Sequence, residues 1–138
     1  MNILIVEDET LLALELECQL EDSGHHVIGT AASKDQAMDL LAHQKPDFAF
    51  VDIQLIDGPT GVEIGRNLAE NAIPFVFVTG NLKRIPDDFA GAMGAIEKPY
   101  TMNGLQNALG YLSGRLNGSG QEPAPPSLTL PPALGQVN

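Results

Sequence analysis

The run Phe48-Ala49-Phe50-Val51, closed by Asp52, most limits what this chain can become. Four consecutive apolar residues without polar alternation read as a strand buried on both faces, and such strands belong to parallel sheets. Beyond Asp52 come Ile53-Gln54-Leu55 and then the turn residues Ile56-Asp57-Gly58-Pro59. Ligand sites in open parallel sheets lie at the carboxyl ends of the strands. A carboxylate at such an end is either a loop-capping device or the working group of a site.

Three further short runs bear on that choice. Asn2–Val6 ends in Glu7-Asp8-Glu9, Pro74–Val78 ends in Thr79-Gly80, and Gly94–Glu97 ends in Lys98-Pro99. In a parallel sheet these ends share one edge, so their carboxylates, hydroxyl and ammonium can converge. Acids gathered in this way repel one another. A hard divalent cation such as magnesium relieves that repulsion and prefers carboxylate and carbonyl oxygens.

Helical patterns fill the intervals. Thr10–Asp22 is rich in Leu, Ala and Glu, with Gly24 placed to end it. After a short strand over Val27–Thr30, Ser33 can cap Lys34–His43, and Pro46 closes that segment. A third helix is expected from Thr60 or Gly61 to Asn71, with Val62, Ile64, Leu68 and Ala69 on its apolar side. Between Thr79 and Gly94, Pro86 costs a helix interior about 3 kcal/mol. The helix there should be short, starting at Pro86 or Asp87, or be replaced by a loop. Thr101 can cap a last helix in which Met102, Leu105, Ala108, Leu109, Leu112 and Leu116 keep helical spacing. Strands alternating with helices imply a doubly wound α/β fold, and right-handed crossovers limit its topology.

The first helix carries two apolar stripes. Leu12, Ala13, Leu16 and Leu20 form one, which the sheet should cover; Leu11, Leu14 and Cys18 form a second. Either the last helix covers the second stripe, or it is a partner site for a kinase helix, a second copy, or Leu128 and Leu130 of the tail.

Charge and composition exclude several classes. With 18 acids against 7 bases the net charge is −11, which argues against a phosphate-backbone binding surface. The lone Cys18 excludes an internal disulfide and fits a cytoplasmic protein. No apolar run approaches the roughly 20 residues of a membrane span. After Leu116 the chain turns to Gly and Pro, with Glu122 its only charge, so residues 117–138 are expected to be a flexible tail on a domain of residues 1–116.

The ordered set of Glu7-Asp8, Asp52, Thr79 and Lys98-Pro99 resembles the receiver domain of bacterial two-component response regulators. The resemblance implies a flavodoxin-like, five-stranded parallel sheet of order 2-1-3-4-5 with a short or irregular fourth helix. It implies Asp52 as phosphoacceptor, with Mg2+ or Mn2+ held by Asp8, Asp52, the main-chain carbonyl of Gln54 and, through water, Glu7. Thr79 and Lys98 would bind phosphoryl oxygens, Gly80 would leave room for them, and Pro99 would follow a cis peptide. The Pro-Phe-Val-Phe-Val-Thr-Gly run is similar to a subgroup marked by Phe-Ala-Thr-Gly. With Asp-Ile-Gln-Leu, it also resembles alphaproteobacterial general-stress receivers, whose sigma-factor-like domain is not expected here. Receivers usually carry Phe or Tyr three residues before this Lys, and Ala95 stands there instead.

What the resemblance implies is a stand-alone, cytoplasmic phosphoacceptor that is not itself an enzyme. It would take its phosphoryl group from a histidine kinase and act through a downstream protein, as a phosphorelay step or as a phosphate sink. A homodimer is a further candidate; nucleic acid and membrane are not expected partners. Two alternatives stay open. One is a phosphorylation-independent scaffold. The other is an aspartyl-phosphate phosphatase, which needs a general acid where this chain has Gln54.

Overall fold

Five strands form the sheet: β1 (Asn2–Val6), β2 (His26–Ala31), β3 (Phe48–Asp52), β4 (Phe75–Thr79) and β5 (Ala95–Glu97). All pair in parallel, in the order β2-β1-β3-β4-β5. The computed structural model describes residues 1–118 and 122–132; the rest of the tail expected to be flexible lies outside the described residues. Four α-helices connect or follow the strands: α1 (Thr10–Asp22), α2 (Lys34–His43), α3 (Gly61–Glu70) and α4 (Met102–Leu116). Among the described residues, no helix is long and apolar enough to cross a membrane.

Strand alternation divides the core in two, because successive side chains point to opposite faces. Leu4, Val6, Phe75 and Phe77 pack on the side of α2 and α3, with Ile64 and Leu68. Ile3, Ile5, Phe48 and Phe50 pack on the side of α1 and α4, with Leu16, Leu20, Leu105 and Leu109. Each layer holds one edge-to-face aromatic pair, with ring centroids 5.3 Å apart for Phe48 and Phe50 and 5.2 Å for Phe75 and Phe77. Such a pair adds roughly 0.5–1.5 kcal/mol beyond its area burial.

Local signals place the helix ends. Gly24, at φ +91°, follows α1 as its left-handed terminator. The Ser33 hydroxyl accepts from the Gln36 N–H at the start of α2, and the Thr101 hydroxyl accepts from the Gly104 N–H at the start of α4. In α3, Gly61, Ile64, Gly65 and Leu68 are buried; Ala69, expected on the apolar side, is exposed. Gly61 has a specific reason to be glycine. A Cβ there would lie 2.0 Å from the Asp52 carbonyl oxygen and 2.6 Å from Ile53 Cα.

The connection from β4 to β5 is irregular, as Pro86 predicts. It holds two 3-10 turns, Leu82–Arg84 and Phe89–Gly91, with Phe89 and Ala90 at φ of +53° and +50°.

The sequence leaves two regions open. The last helix does not cover the second stripe of α1: Leu11 is 67% exposed and Leu14 53%. Among the described residues, the tail does not cover it either. Leu128, at 5% exposure, packs on the α1/α4 side of the sheet, and Thr129 pairs with Ala95 on the open edge of β5. Part of the tail expected to be flexible therefore packs against the domain. Its apolar content is low on average, but the burial falls on one residue.

Candidate functional site

Register brings the sequence-predicted groups together. Val6 lies beside Val51, Asp52 beside Val78, and Thr79 beside Glu97, so β1, β3, β4 and β5 end at one level. The next residues, Glu7, Asp8 and Lys98, reach over that edge. Gly61 lets the first turn of α3 sit directly on the Asp52–Ile53 backbone, where the Gly61 N–H donates to the Ile53 carbonyl at 3.0 Å. The backbone on either side of the Asp52 carboxylate is thereby fixed.

Carboxylate oxygens of Glu7, Asp8 and Asp52 all lie within 4.8 Å of one another. The Lys98 ammonium donates to Glu7 Oε1 at 2.7 Å and to Asp52 Oδ2 at 2.8 Å. The two acids are only 8% exposed and Lys98 17%, so this pairing is screened much less than a surface ion pair. Burial alone would lower the Lys98 pKa, but hydrogen bonds and attraction from Asp52 and Glu7 outweigh it and hold the ammonium above its ordinary range. The Asp8 carboxyl is also raised above its usual value, by burial and then by the hydrogen bond and negative charge of Glu7. One ammonium among three carboxyl groups leaves an acidic surplus of hard oxygen donors. That set fits a small divalent cation.

The Thr79 hydroxyl, 2% exposed, donates to the Asn81 carbonyl at 3.2 Å and accepts from the Asn81 N–H at 3.1 Å. It thus closes a small turn and is not bonded to the carboxylates. Beside it, Gly80 leaves open space: a Cβ there would meet nothing within 4 Å. The Lys98 N–H donates to the Thr79 carbonyl at 2.8 Å, tying the two strand ends together. The Lys98–Pro99 peptide is cis. Gln54, exposed, donates its main-chain N–H to Asp52 Oδ1 at 3.3 Å.

Other acids belong to the loops. Glu9 is exposed, and its N–H donates to Glu7 Oε2 at 3.2 Å. Asp57 accepts from the Thr60 hydroxyl at 2.7 Å and from the Lys34 N–H at 3.1 Å, which is turn chemistry. His26 is exposed and His25 partly buried, both remote from the cluster at the opposite end of β2.

Sequence reasoning missed Asn81 and Arg84. Both line the depression that also holds Asp8, Asp52, Thr79, Gly80 and Lys98. Arg84 sits in the first 3-10 turn and donates to Gln54 Oε1 at 3.1 Å, spanning the mouth of the site. No local pattern marks it, because its place depends on how the irregular connection folds back over β3.

Comparison with known proteins gives consistent findings. Residues 3–110 match the family model for the response regulator receiver domain. The phyllosphere-induced regulator PhyR of Methylorubrum extorquens is 38% identical over 85 residues, which is 60% of this chain and 32% of that protein. The chain thus spans about a third of that relative's length. The solution structure of the Erythrobacter litoralis PhyR receiver domain is similar at a TM-score of 0.73 and 27% identity, covering 90% of this chain and 95% of that one. The response regulatory domain of mrkE from Klebsiella pneumoniae gives 0.76 and 28%, covering 86% and 99%.

Proposed function

From the premise that this chain belongs to the response regulator receiver domain family, we propose that Asp52 accepts a phosphoryl group from a histidine kinase and that the phosphorylated domain signals through protein contacts. The observation that carries this reading is the Lys98 ammonium, held 2.8 Å from Asp52 Oδ2 at the rim of a three-carboxylate cluster. A base so placed can follow negative charge as it develops on the phosphoryl oxygens.

In the transfer, an Asp52 oxygen attacks the phosphorus of a phosphohistidine. The new O–P bond forms as the N–P bond breaks, and the departing electron pair stays on the imidazole nitrogen, which takes up a proton. The Thr79 hydroxyl leaves its Asn81 partner and donates to one phosphoryl oxygen; Lys98 leaves Glu7 and pairs with another. Gly80 keeps the approach clear. Asp8, Asp52, the Gln54 carbonyl and, through water, Glu7 would hold Mg2+ or Mn2+, which supplies further neutralisation of phosphoryl charge. Pro99 follows Lys98 at the end of β5, where it stops the strand from running on past the site.

Gln54 argues against a phosphatase, since an amide has no titratable proton to give a leaving group. The chain is read as a phosphoacceptor switch and not as an enzyme, serving as relay, sink or modulator of a protein partner in the cytoplasm. Incubation with acetyl phosphate and magnesium, followed by intact mass, tests this. The chain should gain one phosphoryl group and Asp52→Asn none; full labelling of Asp52→Asn would sink the assignment. A chain that gains no phosphoryl group under any donor would be the scaffold alternative.

A further inference from the structure

The strand order leaves one edge of β5 without a neighbour from the doubly wound fold, and an open edge presents unpaired N–H and C=O groups to any extended chain. In this molecule the tail takes that edge. Ala95 and Thr129 exchange both main-chain hydrogen bonds, each 2.8 Å, in an antiparallel pair beside an otherwise parallel sheet. Leu128 is buried in the core layer that contains Ile96, Leu105 and Leu109. The Ser127 hydroxyl donates to the Gly104 carbonyl of α4 at 2.7 Å.

We propose that the β5 edge and the slot between β5 and α4 form a peptide-binding site that works by strand addition, and that Ser127–Leu130 is its releasable occupant in cis. Two glycines argue that the slot is shaped for a chain of this kind. A Cβ on Gly94 would lie 2.8 Å from the Thr129 carbonyl oxygen and 3.0 Å from Leu128 Cδ1, and its three nearest atoms all belong to the tail. A Cβ on Gly104 would lie 3.0 Å from the capping Thr101 Oγ1 and 3.2 Å from Ser127 Cβ, so it would press on both the cap and the strap. The strap is also thinly held. It has one reciprocal backbone pair, one hydroxyl hydrogen bond and one buried side chain, while Thr129 and Leu130 are exposed. Backbone pairing of this type gives affinity without sequence preference, and the alternate side-chain pocket gives specificity.

The chemistry of the partner follows from the occupant. It is an extended segment carrying a hydroxyl residue, then a branched aliphatic residue, then a strand former, flanked by proline. Between Pro123 and Pro132 the strap has no charge, on a chain whose net charge is −11, so an acidic segment is disfavoured. Nothing in this assignment requires Asp52 to be phosphorylated.

The test uses a fluorescently labelled peptide spanning Pro123–Pro132 and the full chain. In the wild type the tethered strap competes at high effective concentration, so the peptide should bind weakly. Leu128→Asp unseats the strap, and peptide affinity should rise at least tenfold. Adding Gly94→Ala, whose Cβ meets the strap's Thr129 and Leu128 first, should abolish that gain while circular dichroism stays unchanged. Equal affinity for wild type and Leu128→Asp overturns the proposal, and so does a gain that survives Gly94→Ala. Should Leu128→Asp fail to fold, Leu128→Ser enters the same assay. If that variant also fails to fold, the segment is a fixed part of the core and the proposal falls.

Discussion

Two connections flank β4, and they could hardly differ more. The one before it contains α3, whose buried Gly61, Ile64, Gly65 and Leu68 seat it against β3 and β4. The one after it is two 3-10 turns around Pro86, with Phe89 and Ala90 in left-handed conformations. Both touch the site: α3 fixes the Asp52 backbone, and the irregular connection brings Asn81 and Arg84 over its mouth. A well-packed helix holds a reacting group in place. The irregular connection reaches the core through Ile85, Ala90 and Ala92, but it lacks the continuous hydrogen-bond ladder of a helix. Such a segment opens at lower free energy and can respond to what happens there. With Ala95 in place of an aromatic ring, the response is expected in the irregular connection.

The sharpest way to break the contrast is Gly61→Ala. Its Cβ would meet main-chain atoms of Asp52 and Ile53, which cannot swing aside as a side chain can. We expect a loss of about 3 kcal/mol in denaturant unfolding, at the upper end of overpacking costs. Gly80→Ala, with open space around it, should stay within about 0.5 kcal/mol of wild type. Equal effects at the two glycines would mean that α3 is not the rigid seat.

Hydrogen exchange with and without phosphorylation probes the other side of the contrast. Amides from Asn81 to Met93 should change most, and those of α3 least. Unchanged protection across Asn81–Met93 would place the switch elsewhere.

Arg84→Ala isolates the contact between the connection and the site. Without the guanidinium bridging to Gln54, water reaches Asp52 more easily, so the acyl phosphate lifetime should shorten several-fold while the melting temperature holds. A lifetime equal to wild type would make Arg84 a bystander.

The smallest effect is expected at Arg66→Ala. Arg66 pairs with Asp88 at 3.0 Å and joins α3 to the irregular connection, but both side chains are about half exposed. Exposed pairs add little to stability and are screened by salt. Thermal melts should not resolve the variant, while exchange at Ala90, whose N–H Asp88 also caps at 2.9 Å, should quicken in low salt.

Much of this molecule was legible from its residues. Phe48–Asp52, Asn2–Val6 and Phe75–Thr79 are apolar runs ended by a polar group, and burial on both faces makes such runs strands wherever they sit. The caps Ser33 and Thr101, the terminator Gly24 and the disruption at Pro86 act within one turn of themselves, so the sequence shows them directly. Asp52, Asp8, Glu7, Thr79 and Lys98 could be named as candidates because each directly ends or follows a strand. Tertiary structure decided whatever depends on which neighbour arrives. Lys98 bridges two acids, Arg84 crosses to Gln54, the outer stripe of α1 stays uncovered among the described residues, and Leu128 leaves the tail to enter the core. Propensity and periodicity act over a few residues, whereas these contacts join groups separated along the chain, and their partners are set by how the sheet edges and helices finally pack.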